Sequence, residues 1–314
     1  MKILVTGGNG FIGRHIVKEL EEHGYDVKIF CRSGNGKNVI NGDIRKYDEI
    51  LKAASGMDAV FHNAAYAMDW GRKKDFYESN VKGTENVVKA CIENGIDRII
   101  YTSSAGIYGF PNSMQPINEE SPQRPLNAYQ KSKLLGEKII LKHDLHASII
   151  RPPLVLGAGA RAAQILLSSI QNGSFSYIGN GETYIPIVHP KDVAKCLRLA
   201  LEKDENGEVF NVVSFSCKIK EMVSRIANLM NVEEPKKHVP YFIAYSVAIF
   251  SELYGALFKK EPKITRFRVK SMGTNRIISY EKARKLLGYT PSYNLEKTIK
   301  EMVEWYTNNP IYQL

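Results

Sequence analysis

The chain has 314 residues, 44% hydrophobic and 24% charged, the balance of a globular protein large enough for one big domain or two fused lobes. Its net charge of +10, from 43 basic and 33 acidic side chains, is spread out with no aromatic-interleaved basic stripe, so a phosphate-bearing small molecule is expected and no nucleic acid. The four cysteines, Cys31, Cys91, Cys196 and Cys217, form no C-x-x-C pair and argue against a disulfide framework or a zinc site; with no apolar leader in "MKILVTGG", a cytoplasmic setting and no metal are expected.

In chain order, "KILVTG" is a short apolar run closed by glycine, and "FIGRHIVKELEEHG" has helical spacing with Gly24 as its stop. "DVKIFCR" reads as a second strand, Tyr47 to Ala54 as a short helix, and "DAVFHNAA" as a third strand. A long helix, "DFYESNVKGTENVVKACIENG", a fourth strand, "DRIIYTSS", a helix, "NAYQKSKLLGEKIILKH", and a fifth strand, "ASIIRPP", follow. Strands that are apolar runs, alternating with helices, predict an α/β fold: a doubly wound, Rossmann-like, mostly parallel sheet covered on both faces. The boundary is expected near residue 155. Residues 1–155 form the dinucleotide-binding part and 156–314 mostly a smaller, mainly helical substrate lobe that does not fold independently, with a strand near 208–213 returning to the sheet.

Two patterns carry chemistry. The first turn, "GGNGFIG", places Gly7, Gly10 and Gly13 between a strand and a helix, where glycine lets the backbone approach a pyrophosphate and the helix start offers free N–H groups. "NAYQKSK" places Tyr129 one helical turn before Lys133. A lysine there either snorkels from a surface helix or acts on the phenol: a nearby cation favours the phenolate and makes a group that titrates near pH ~10 usable as an acid/base.

"TGGNGFIG", "NVKGT", "YTSSAGIYG" and "YQKSK", in this order, resemble the extended short-chain dehydrogenase/reductase superfamily over nearly the whole chain. The resemblance implies that Tyr129 is the acid/base, that Lys133 lowers its pKa and binds the nicotinamide ribose, and that Ser104, 25 positions before Tyr129, holds the reacting oxygen. It implies a cofactor site of Gly7, Asn9, Gly10, Phe11, Ile12 and Gly13, with Asp43 and Ile44 at the adenine, Ala64 and Ala65 at the pyrophosphate and ribose, and Asn80, Tyr129, Lys133 and Pro152 completing it. The bland alternatives are that Ser104 caps a strand end and Asn80 satisfies backbone groups.

Sugar dehydratases of this superfamily carry Asp-Glu where this chain has Ala105 and Gly106, which argues against water loss. Nucleotide-sugar epimerases share the Tyr/Lys/Ser set, but the arginine that grips the diphosphate is replaced by Ile185; Arg161 is a substitute cation, so epimerase stays an alternative. "DWGRKKDFYESNVKGT", "RPPLVLG" and "EPKITRFRV" resemble the 3β-hydroxysteroid dehydrogenase and dihydroflavonol reductase-like branch, which implies alcohol/ketone chemistry on apolar, sterol-like or keto-acid-like substrates. A non-catalytic cofactor-binding regulator is the third reading. The second strand ends in Cys31, Arg32 and Ser33 without a carboxylate, which predicts NADP(H) preferred over NAD(H) through Arg32. Tyr241 to Phe258, followed by Lys259, Lys260 and Lys263, is either a core helix or a peripheral membrane contact over 241–260. By resemblance, helices Asp75 to Asn94 and Ala128 to His143 are expected to pair in a homodimer.

Overall fold

The computed structural model describes residues 1–309. Its centre is a seven-stranded sheet: Lys2–Thr6, Asp26–Cys31, Val39–Asn41, Ala59–His62, Arg98–Thr102, His146–Arg151 and Glu208–Asn211. Numbered along the chain, these strands lie in the order 7-6-5-4-1-2-3, and every pairing is parallel. The doubly wound expectation is met, and the strand near 208–213 does return to the sheet. The sequence reading omitted Val39–Asn41, a three-residue edge strand too short to show a period.

Residues of each strand alternate between two cores. Ile3, Val5, Ala59, Phe61 and Ile100 face one way, onto the helices Gly13–Glu22, Pro190–Lys203 and Glu281–Leu287. Leu4, Val60, Ile99, Tyr101 and Ile149 face the other, onto Tyr47–Ala54, Gly83–Glu93 and Ala128–Leu141. Both sides being buried explains why the strands read as continuous apolar runs.

The register aligns the strand ends: Thr6 lies beside Phe30 and His62, and His62 beside Tyr101. The turns after strands 1, 2, 4, 5 and 6 therefore meet along one edge, where a doubly wound sheet holds its ligand. The remaining chain forms a mainly helical lobe, Arg161–Gln171, Ile219–Leu229, Tyr241–Phe258, Arg266–Gly273 and Leu295–Asn308, around a small sheet of Leu154–Val155, Tyr184–Val188 and Phe215–Lys218.

Candidate active site

The first turn has the shape a pyrophosphate needs. Gly7 has φ +69°, and a Cβ there would sit 2.9 Å from Ala64 Cα; one on Gly13 would be 2.0 Å from the Gly7 carbonyl. The helix that starts at Gly13 has no side-chain cap and no acidic residue in its first turn, so no anion of its own competes for a ligand at its positive end. Gly10 is exposed, and Phe11 and Ile12 are partly exposed beside it. Asn9 does not project into the turn alone: its Nδ2 donates to the Ser33 carbonyl (3.2 Å), tying the turn to the end of the second strand. Arg32 is exposed there, and no carboxylate ends that strand.

Asp43 and Ile44 follow the third strand. Arg45 occupies the Asp43 carboxylate (2.9 and 3.0 Å) and its hydrogen bonds hold the Asp43 pKa down. The Ile44 side chain points into the core, where a Cβ on Gly83 would come within 2.6 Å of it, so only its backbone remains for adenine. Ala64 lies against Gly7, and Ala65 is exposed on the same rim.

The loop bearing these alanines is held from below. His62 is fully buried, and its pKa falls to about 3 because burial opposes its charge. The neutral ring links Thr6 (2.8 Å) to Thr84 (2.9 Å), and Thr6 Oγ1 accepts the N–H groups of Asn63 (3.2 Å) and Ala64 (3.1 Å). Asn80 sits in a π-helical turn, Tyr77–Lys82, that splits the long helix read from the sequence. Its amide accepts from Tyr66 N (2.7 Å) and donates to Tyr66 O (3.2 Å) and to Ser132 Oγ (2.8 Å). With these bonds and only 1% exposure, Asn80 positions the loop and the Tyr129 helix.

That helix, Ala128–Leu141, begins with a capping box: Asn127 Oδ1 accepts from Gln130 N (2.9 Å) and the Gln130 side chain returns to the Asn127 N–H (3.3 Å). The box fixes Tyr129 in the first turn. Ser104 ends the fifth strand's extension, caps the short 3₁₀ turn Ala105–Tyr108 by accepting from Gly106 N (3.0 Å), and lies near enough to the Tyr129 phenol to pull its pKa downward. Pro152 O accepts from Ala105 N (2.9 Å), fastening this segment to the end of the sixth strand.

The Lys133 ammonium lies 4.0 Å over the Tyr101 ring, and burial lowers its pKa to about 7. Burial pushes Tyr129 up to about 12, against a downward pull from Ser104. In the free chain the phenol is therefore protonated at neutral pH, its burial outweighing the pull of Ser104.

Three groups beside this set were not singled out from the sequence. Glu137, one turn beyond Lys133, is paired in the interior with Arg151 (2.7 and 2.9 Å) and accepts from Ser103; Arg151 continues to the Tyr108 hydroxyl (2.7 Å). A charge ending the apolar run "ASIIR" was the available signal. The Thr6–His62–Thr84 chain had none, since its members lie far apart in sequence. Asp69 takes Arg268 (2.8 Å) and Thr265 (2.9 Å) from the second lobe, and its carbonyl accepts from Asn127 Nδ2 (3.3 Å).

A glycine turn on a helix start, with tyrosine, serine and lysine gathered at the same sheet edge, defines an NAD(P)-dependent enzyme of the doubly wound class. The chain belongs to the NAD dependent epimerase/dehydratase family, whose model matches residues 3–213. It is 30% identical to mouse (Mus musculus) sterol-4-alpha-carboxylate 3-dehydrogenase, decarboxylating, over 96% of this chain and 90% of that protein. It is 29% identical to the 2-alkyl-3-oxoalkanoate reductase of Stenotrophomonas maltophilia, over 96% and 98%. The UDP-glucuronic acid 4-epimerase of Bacillus cereus, solved with NAD, superposes with a TM-score of 0.80 over 99% of this chain and all of that one; at 22% identity that likeness speaks for the fold alone.

Proposed function

We propose that this enzyme interconverts an alcohol and a ketone on an apolar substrate bearing a carboxylate near the reacting carbon. The observation that carries the redox reading is the gathering of Ser104 and the Tyr129 phenol at the sheet edge, close enough for Ser104 to act on the phenol's pKa, with Lys133 one helical turn on. A substrate oxygen placed between the two hydroxyls receives the Tyr129 proton on reduction and returns it on oxidation, while Ser104 holds the oxygen. When bound, the nicotinamide supplies or takes the hydride. An assembled set of this kind argues against a non-catalytic regulator.

The substrate class rests on two side chains. Ile185, where a diphosphate-gripping arginine would stand, is 1% exposed and packs in the second lobe's core, which disfavours a nucleotide sugar. Arg276 is 7% exposed, its guanidinium lies over Phe110 (4.6 Å), and its Nη1 has no partner. Ile278, two residues on in the short strand Ile277–Ile278, packs on Ala105, Ile107 and Tyr108, directly after Ser104. A buried cation with a free donor at that place suits a carboxylate. Both relatives described above act, by name, on such acids.

The test compares 3-hydroxy and 3-oxo acids of increasing chain length with the matching alcohols and ketones. Wild type turns over the acids; Tyr129→Phe loses 10²–10⁴-fold in kcat while still binding cofactor, the usual weight of such a group. Arg276→Met raises KM for the acids alone. Equal use of acid and alcohol, or activity of Tyr129→Phe within about tenfold of wild type, sinks the corresponding assignment.

For the cofactor, the exposed Arg32 and the carboxylate-free end of the second strand favour NADP(H). For assembly, exposed Tyr77, Leu135 and Leu141 on the two helices expected to pair support a homodimer.

A further inference from the structure

The helix Tyr241–Phe258 is built unlike the others. It buries only Ala244, Ala248, Glu252 and Gly255, a narrow stripe at i, i+4, i+8 and i+11. The stripe lies along Arg266–Gly273, and Glu252 is fixed there by the Arg266 backbone N–H and Nε, both at 2.7 Å. Opposite it, Phe242, Ile243, Val247, Ile249, Phe250, Leu253, Tyr254, Leu257 and Phe258 are all exposed, three of them at 70% or more: Phe242 70%, Phe250 71% and Leu257 76%. At 100° per residue these nine cover roughly half the helix circumference. Together they present on the order of 1,000 Å² of apolar side chain, against the ~300–600 Å² of the largest patch on a typical soluble monomer.

The charges around this face have one sign. Lys259, Lys260 and Lys263 follow the helix, exposed and without an ion pair among the described residues, and Lys237 is exposed just before it. The helix's single carboxylate, Glu252, is turned inward, and the nearby Glu261 is engaged by Arg268 (3.0 Å) and Arg161 (3.5 Å). A second copy laid on this face brings lysines towards lysines in an antiparallel pairing and in a parallel one. An anionic lipid surface accepts both the apolar side chains and the cations at their edge. The helix is long and apolar enough to cross a membrane by composition. Crossing would take the Ala244–Gly255 stripe off its partner and part Glu252 from Arg266.

We propose that Tyr241–Phe258 lies flat in the interface of an anionic bilayer and docks the protein there. Docking goes beyond the proposed redox reaction and stands without it.

The full chain is to be sedimented with vesicles of phosphatidylcholine and phosphatidylglycerol, and with phosphatidylcholine alone. Wild type binds the anionic vesicles at least tenfold more strongly than the neutral ones, and alkaline carbonate strips it off. The triple variant Phe250→Ser/Leu253→Ser/Leu257→Ser changes only exposed residues; it keeps the wild-type melting temperature and cofactor affinity and loses at least tenfold in vesicle binding. Lys259→Gln/Lys260→Gln/Lys263→Gln abolishes the preference for anionic lipid. Wild type remaining in solution with anionic vesicles, or the triple serine variant binding like wild type, overturns the proposal. So does retention through carbonate, which indicates a spanning helix. A lipid-free dimer in sedimentation velocity that the serine variant converts to monomer also overturns it, and assigns the face to a second copy.

Discussion

Lys133 carries its ammonium into the interior, 4.0 Å above the Tyr101 ring, at a cost that depends on pH. Burial brings its folded pKa to about 7, below the unfolded value near ~10.4. Below pH 7 both states hold the proton and the penalty is constant. From about pH 7 upward the folded chain has released it while the unfolded chain has not, so stability rises with pH through that window. Lys133→Met, unbranched and of similar reach, removes the penalty. The variant is expected to gain stability over wild type at pH 6 and to gain less at pH 9, read from urea midpoints, while cofactor affinity falls. A gain of equal size at both pH values contradicts the account. Arg32 makes the second prediction at this scale. Wild type is expected to bind NADP(H) more tightly than NAD(H), and Arg32→Ala to bring the two dissociation constants together by about tenfold or more, the loss of one charge-assisted contact to a phosphate. Tighter NAD(H) binding by wild type, or an unchanged ratio, dismisses Arg32 as the reader of the 2′-phosphate.

Among the elements, the Ala128–Leu141 helix bears most of the site: Tyr129 and Lys133 on one side, Glu137 one turn on. Glu137 and Arg151 are each 3% exposed in their side chains, so the pair adds little net stability, but either charge alone is severely penalised. Glu137→Leu is expected to cost about 3–5 kcal/mol, and Glu137→Leu/Arg151→Met to recover most of it, both read by denaturant unfolding. Additive losses in the double variant contradict this. The helix also shows what could be read from sequence and what could not. Tyr129 and Lys133 were visible because i and i+4 share a face. The capping box was equally local, with Asn127 three residues before Gln130, and was passed over. Glu137 looked like an ordinary surface charge in a helix, because its partner comes from a strand that only the fold brings near. The π turn around Asn80 is not legible for another reason: "YESNVKGT" has normal helical periodicity, and the bonds of Asn80 to Tyr66 and Ser132 are made only in the fold. The direction of the Tyr129 pKa is not legible in the spacing, which gives proximity along a helix but not the burial that raises it.

Whether the two lobes fold as one is decided by the core beneath the sheet. Ile3, Val5, Ile16, Leu20 and Phe61 share a single cluster with Val188, Val193, Leu197, Phe210, Leu287 and Tyr289 from the second half. The seventh strand, Glu208–Asn211, pairs with the sixth, His146–Arg151, and Arg198 reaches Glu19 at 2.8 Å. A fragment of residues 1–155 keeps six strands of the sheet but exposes the face that these six partners cover. Each large apolar side chain left uncovered forfeits about 1.5–3 kcal/mol, and a whole domain is stable by only ~5–15 kcal/mol. The fragment is therefore expected to be unfolded or molten, with weak near-ultraviolet circular dichroism and no cooperative urea transition, whereas the full chain unfolds in one transition seen alike by fluorescence and circular dichroism. Cofactor protects the full chain and does nothing for the fragment, even though Gly7, Gly10, Gly13, Tyr129 and Lys133 all lie within residues 1–155. A fragment that melts cooperatively and is stabilised by NAD(P)H would show that the dinucleotide half is an independent domain and that the shared cluster is an interface rather than a core.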